Sequence, residues 1–233
     1  MDPKVYYDAA YARKGNCAMR PRWVYERWFR CLGQAKPHQS MLDVGCGTGL
    51  LLQVADGYGM ITTGLDLSDE AVKLSRKNSP HSTVVQGNGE HLPFLDKQFD
   101  YVCCVGSLEH YRDPAQGLRE LVRVAKDDAK FLIVLPNDNY LFWKLKKIQK
   151  GTAQREFEVL KNLAGWKRFL VDCGLEILEI HQDRYPAQEL KIFQYKNPYT
   201  IARRLLYKLI WWLMPLNLTY QFVFVLKKST APL

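Results

Sequence analysis

The 233-residue chain has no internal repeat, no low-complexity tract and no long flexible linker, which excludes a string of tethered modules and leaves one domain with appendages. None of its six cysteines (Cys17, Cys31, Cys46, Cys103, Cys104, Cys173) shows a metal-ligand spacing such as C-x-x-C. Neither a zinc site nor a disulfide framework is therefore expected, and reduced thiols are. No apolar signal segment follows Met1-Asp2-Pro3-Lys4, so the expected location is cytoplasmic. Acidic residues are the scarcer sign, 24 against 33 Lys plus Arg, giving a net charge of +9. Such a field favours anionic partners: nucleic acid, phosphorylated small molecules or an acidic membrane surface.

What is present is enough apolar material, 47% of the residues, to bury one substantial core. Short apolar runs predict strands at 40–44, 61–67, 83–85, 99–105, 131–135, 175–180 and 222–226. Helices are expected at 48–55, at 69–77 with Ser68 as N-cap, at 114–125 with Asp113 as N-cap, and at 157–173 ending at Gly174. Residues 5–32, rich in Tyr, Trp and Arg, predict one or two helices ahead of the core. Strands alternating with helices mean an α/β fold: a Rossmann-like, seven-stranded, mostly parallel sheet with helices on both faces. The single domain, 1–233, divides into a helical lid (1–38), a core (39–185), a basic amphipathic insertion (186–218) and a final strand (219–228).

The strongest local signal is Leu42-Asp43-Val44-Gly45-Cys46-Gly47-Thr48-Gly49: a strand enters, three glycines turn and a helix leaves. Glycine permits the positive φ of a tight turn and lets a ligand approach the backbone. The spacing is G-x-G-x-G with Leu50 at the sixth position, which argues against the G-x-G-x-x-G/A of dinucleotide-binding proteins. Asp66 ends the second strand, where a carboxylate can accept from both hydroxyls of a ribose. Gln86-Gly87-Asn88-Gly89-Glu90 follows the third strand, and Ser107-Leu108-Glu109-His110-Tyr111 the fourth.

This ordered set resembles the class I S-adenosylmethionine (SAM)-dependent methyltransferases, most closely the small-molecule branch that includes the ubiquinone-biosynthesis O-methyltransferases. The resemblance covers roughly residues 40–185. It implies that Gly45, Cys46, Gly47, Thr48 and Gly49 form the loop against the methionine and ribose of SAM, with Asp43 organising that loop or meeting the amino group. It also implies that Asp66 holds the ribose, that Leu67 lies against the adenine, that Asn88 and Gly89 read the adenine amino group, and that Ser107 lines the methionine end. Glu109 and His110 would face the acceptor. His110 is either the base or an orienter there, or it only holds the following loop. Most relatives carry Asp at the Asn88 position, but an amide oxygen can also accept from an amine. Relatives that place a metal use an acidic residue where this chain has Gly106, so no metal is expected. Tyr6, Tyr7 and Tyr11 are either a lid over SAM, as in relatives, or ordinary packing residues.

Two segments lie outside the minimal fold: 140–150, and 186–218 with Lys191, Lys196, Arg203, Arg204 and Lys208 but no acid between Leu190 and Asn217. Thr200 to Leu213 reads as a helix with Ile201, Leu205, Leu209, Trp212 and Leu213 on one face. That face either meets an anionic membrane surface or covers the sheet edge or a substrate pocket. Lys208 and Pro215 interrupt a run already too short to span a bilayer. Both insertions leave the ligand face of the sheet, which suits an amphipathic small-molecule acceptor, lipid-linked or phosphate-bearing, methylated at oxygen. The alternatives are an RNA or protein methyltransferase using the basic surface, and a methyltransferase-like protein that binds SAM without turnover. No RNA-binding module is recognised and nucleic acid is not the expected partner. The sequence leaves the oligomeric state open.

Overall fold

A computed structural model describes residues 2–18, 20–145, 158–183 and 197–230. The chain enters through α1 (Pro3–Lys14) and α2 (Arg22–Cys31). It then alternates β1 (Ser40–Val44), α3 (Leu50–Asp56), β2 (Ile61–Asp66), α4 (Asp69–Asn78) and β3 (Thr83–Gln86). After β4 (Phe99–Val105) come α5 (Pro114–Val124), β5 (Ala125–Pro136) and the short α6 (Leu141–Leu145). The chain closes with α7 (Leu163–Asp172), β6 (Leu175–Gln182), α8 (Pro198–Leu213) and β7 (Gln221–Lys228).

The sheet order is β3-β2-β1-β4-β5-β7-β6, and β7 alone runs antiparallel to its neighbours. This is the Rossmann-like seven-stranded α/β architecture that the sequence predicts. Alternate strand residues feed two cores, as a period of two requires. Leu42, Val102, Cys104, Phe131 and Ile133 pack with α5 and α7. Met41, Cys103, Leu132 and Val134 pack with α2 and α3. The neighbours Cys103 and Cys104 thus lie in opposite cores, and Cys31, Cys46, Cys103, Cys104 and Cys173 are free thiols.

Capping sets several boundaries. Ser68 accepts from Ala71 N at the start of α4, and Asp113 accepts from Ala115 N and Gln116 N at the start of α5. The helix expected over 157–173 is shorter, because the Asn162 side chain accepts from Gly165 N and starts α7 there; Phe157 lies outside the described residues. Gly174, at φ +86°, ends it as expected. The helix after the glycine loop begins at Leu50 rather than Thr48, because Gly49 is still left-handed at φ +82°. β5 exceeds its apolar run: the register slips between Phe99↔Ala125 and Tyr101↔Lys130. The exposed bulge that results is tied back by Lys126–Asp100 and Lys97–Asp127 ion pairs of 2.8 Å each.

α8 corrects one expectation. Its inward side is aromatic: Trp211 is buried, stacked on Phe142 and tilted against Tyr140, and Tyr207 meets Phe142 edge-on. Leu205, Leu209, Trp212 and Leu213 point outward, 50–67% exposed, so this part of the predicted stripe covers neither the sheet edge nor a pocket among the described residues, and only Ile201 is half-buried. Lys191 and Lys196 lie outside the described residues, as does the end of the first insertion. Among the described residues no helix is long and apolar enough to cross a membrane.

Candidate active site

The three loop glycines share left-handed backbone, with φ of +76° at Gly45, +55° at Gly47 and +82° at Gly49. The turn they allow brings Gly45 N and Cys46 N onto Leu65 O, at 2.7 and 3.0 Å. It aims Gly47 N at Asp66 Oδ2, 2.8 Å away. Asp66 Oδ1 accepts from Ser68 N at 2.9 Å. These bonds leave the carboxylate further accepting capacity, and Asp66 lines a cavity of about 760 Å³ at the carboxyl ends of the parallel strands. Burial pushes Asp66 up to about 6, against the opposing pull of those backbone N–H groups.

Of the residues singled out in the sequence, Gly45, Asp66, Leu67, Asn88, Gly89, Ser107 and His110 line the cavity. Asp43, Gly47, Cys46, Thr48, Gly49 and Glu109 stand behind its wall. Cys46 turns its thiol towards Ser75 of α4, and Thr48 is fully buried. A Cβ on Gly49 would collide with Ser75 and Ser79, so that glycine serves the packing of the turn on α4. Asp43 is buried with Oδ1 unpartnered, and burial, reinforced by Asp66, pushes it up to about 8. Asn88 Oδ1 accepts from Glu90 N at 2.9 Å, which shapes the turn that carries it.

His110 and Glu109 lie together on the single turn Leu108–His110. His110 Nε2 is 3.8 Å from Glu109 Oε1, while Glu109 Oε2 and His110 Nδ1 are buried with no hydrogen-bond partner. Burial drives the two in opposite senses, Glu109 up to about 8 and His110 down to about 4. The imidazole is neutral at physiological pH and the carboxyl is a weak acid. Tyr7 meets His110 edge-on, with ring centroids 6.3 Å apart, and Tyr7 and Tyr11 of α1 join the cavity wall.

Two contributors escaped the sequence reading. Tyr111 lines the cavity between Gly89 and Gly117, and a Cβ on either glycine would overlap its ring or hydroxyl. The pair of glycines facing one tyrosine is a signal visible only once the chain is folded. Arg20 donates to Asp183 at 2.7 Å and to Gln221, with its guanidinium over Trp28 at 4.9 Å. This ties the leader to the carboxyl end of β6 and the start of β7.

Residues 42–133 match the family model described as a methyltransferase domain. A ubiquinone biosynthesis O-methyltransferase of Pseudomonas paraeruginosa is 31% identical over 180 residues, covering 70% of this chain and 72% of that protein. A Methanocaldococcus jannaschii protein, MJ1252, is 34% identical over 140 residues, covering 60% of this chain and 53% of that protein; the chain thus spans about half the length of that relative. Among solved structures, a TehB-like SAM-dependent methyltransferase from Corynebacterium glutamicum superposes with a TM-score of 0.63 at 15% identity, covering 97% of this chain and 99% of that one.

Proposed function

The chain belongs to the class I SAM-dependent methyltransferases, enzymes of the EC 2.1.1 type, and from that premise we propose that it methylates a hydroxyl of a small amphipathic acceptor. The observation that carries this reading is the meeting, in one cavity, of the Asp66 carboxylate with His110, backed by Glu109. The cavity volume, about 760 Å³, lies within the range of small-molecule sites. The free lone pairs of Asp66 suit vicinal ribose hydroxyls, so the residues present fit SAM.

When bound, SAM supplies an activated methyl group on its sulfonium. Asp66 holds the ribose, Leu67 and the Asn88–Gly89 turn border the adenine, and Ser107 borders the methionine end. Gly45 gives close backbone approach, while Gly47, Cys46, Thr48 and Gly49 hold the turn in shape behind it. Asp43 is buried in β1 just ahead of the loop, with Oδ1 unpartnered. Tyr7, Tyr11 and Tyr111 exclude water, which strengthens every polar contact inside. Holding two reactants in line is worth up to about 7–11 kcal/mol in favourable cases. His110 and Glu109 serve the acceptor: the neutral imidazole of His110, which lines the cavity, takes the hydroxyl proton, and Glu109, 3.8 Å from its Nε2, steadies the ring.

The likeness to a ubiquinone biosynthesis O-methyltransferase supports an oxygen acceptor. The outward apolar stripe of α8, beside exposed Arg203, supports an acceptor presented at an anionic membrane surface. The test is release of S-adenosylhomocysteine (SAH) from SAM when hydroxylated, amino and carboxylated small molecules, RNA and protein are offered separately. Turnover confined to hydroxylated small molecules is expected; turnover confined to amines, RNA or protein would overturn the oxygen assignment.

A further inference from the structure

α1 buries none of its residues fully, yet it contributes Pro3, Tyr7 and Tyr11 to the cavity wall. Beside the ring contact of Tyr7 with His110, it has a polar hold on the start of α4. Asp8 Oδ1 accepts from Ser68 Oγ at 2.7 Å and from Glu70 N at 3.4 Å. Lys4 Nζ bridges Asp8 Oδ2 at 2.8 Å and Asp69 Oδ2 at 2.6 Å. Ser68 is fully buried, and its own N–H donates to Asp66 Oδ1 at 2.9 Å. One residue is thus gripped from the cavity side by Asp66 and from the outer side by α1.

We propose that Asp8 is a positioning residue for the cofactor: it latches α1 onto the Ser68–Asp66 turn, so that lid closure and cofactor binding stabilise each other. The exposed Lys4 pairs contribute little by themselves. The part that matters is the Asp8 carboxylate on a buried hydroxyl and on the first turn of a helix, where negative charge is favoured. A bound cofactor draws on the remaining lone pairs of Asp66, holds the turn that presents Ser68, and so favours the closed lid. By linkage the closed lid raises cofactor affinity by the same factor. The proposal rests on reading the cavity as the SAM site.

The test uses SAH and the full chain. In the wild type, SAH is expected to slow tryptic cleavage after Arg13 and Lys14. In Asp8→Ala that cofactor-dependent protection should vanish and SAH should dissociate about tenfold faster, the effect of one charge-assisted hydrogen bond. Asp8→Asn keeps an oxygen for Ser68 Oγ and Glu70 N and should recover most of both effects. The SAH-free melting midpoint of Asp8→Ala should stay near that of the wild type, which separates a latch from a folding defect. SAH release at the wild-type rate from Asp8→Ala, with protection intact, would overturn the latch. A wild-type chain that fails to bind SAH would overturn the cofactor reading itself.

Discussion

Asp66 Oδ2 accepts a 2.8 Å hydrogen bond from the backbone N–H of Gly47, joining the end of β2 to the turn that leaves β1. The contact uses one lone pair of a buried carboxylate and fixes the direction of the rest. The glycine loop and the acid at the end of the second strand are two motifs in the sequence but one device in the fold. The predictions below follow from that device and from the groups around it.

Gly45→Ala should weaken SAH binding at least about 100-fold, a loss of roughly 2.7 kcal/mol. Gly45 sits at φ +76°, and a Cβ there would overlap the Ser107 side chain. Equilibrium titration with SAH checks this; near-wild-type affinity would mean that the turn tolerates both the strain and the collision.

Glu109 should make the cofactor-free protein less stable as pH rises. Burial raises its folded pKa to about 8, above the usual value of 4.5, so the folded state holds the proton more tightly. The resulting stability is fully present below about pH 4.5 and is lost by about pH 8, at a rate of at most about 1.4 kcal/mol per pH unit for one proton. Urea midpoints between pH 5 and 8.5 should fall less steeply in Glu109→Gln than in the wild type. Parallel curves would remove the effect from Glu109.

In turnover, His110→Ala should lower kcat by about 10²–10⁴-fold, the usual contribution of a positioned base, while SAH affinity stays near that of the wild type. Glu109→Gln should lower kcat less, because it changes only the group beside the imidazole. The reverse order, measured by SAH release with an accepted hydroxylated substrate, would make Glu109 the base.

The outward face of α8 should bind vesicles containing anionic phospholipid at low salt and release them as salt rises. Leu205→Ser, Leu209→Ser and Trp212→Ser together should cut sedimentation with such vesicles about tenfold or more without changing SAH affinity. Unchanged sedimentation would disconnect α8 from lipid. All three side chains are at least half exposed, so their replacement leaves the core intact.

Asp113→Ala should cost about 1 kcal/mol of stability, because its side chain caps two N–H groups at the start of α5. Denaturant midpoints read the loss directly.

Much of the fold was legible. β1 and β4 have the bounds their apolar runs predict, and the caps Ser68 and Asp113 act where their spacing places them. Local chemistry sets those features. The β5 bulge was not legible, because Lys126 and Asp127 are polar in any exposed segment and their ion pairs reach across the fold. The inverted α8 was not legible either: its periodicity marks an apolar face, but the aromatic pairing of Trp211 with Phe142 decides which side turns inward. In the site, Gly45, Asp66 and His110 could be read from motif order, whereas Tyr111 and Arg20 depend on residues distant in the chain.

The most direct measurement is calorimetric titration of the purified chain with SAH, set beside Asp66→Ala. One-to-one binding by the wild type, weakened about 100-fold or more when two charge-assisted hydrogen bonds to the ribose are lost, is the expected result. Absence of binding by the wild type, or equal affinity in Asp66→Ala, would contradict it.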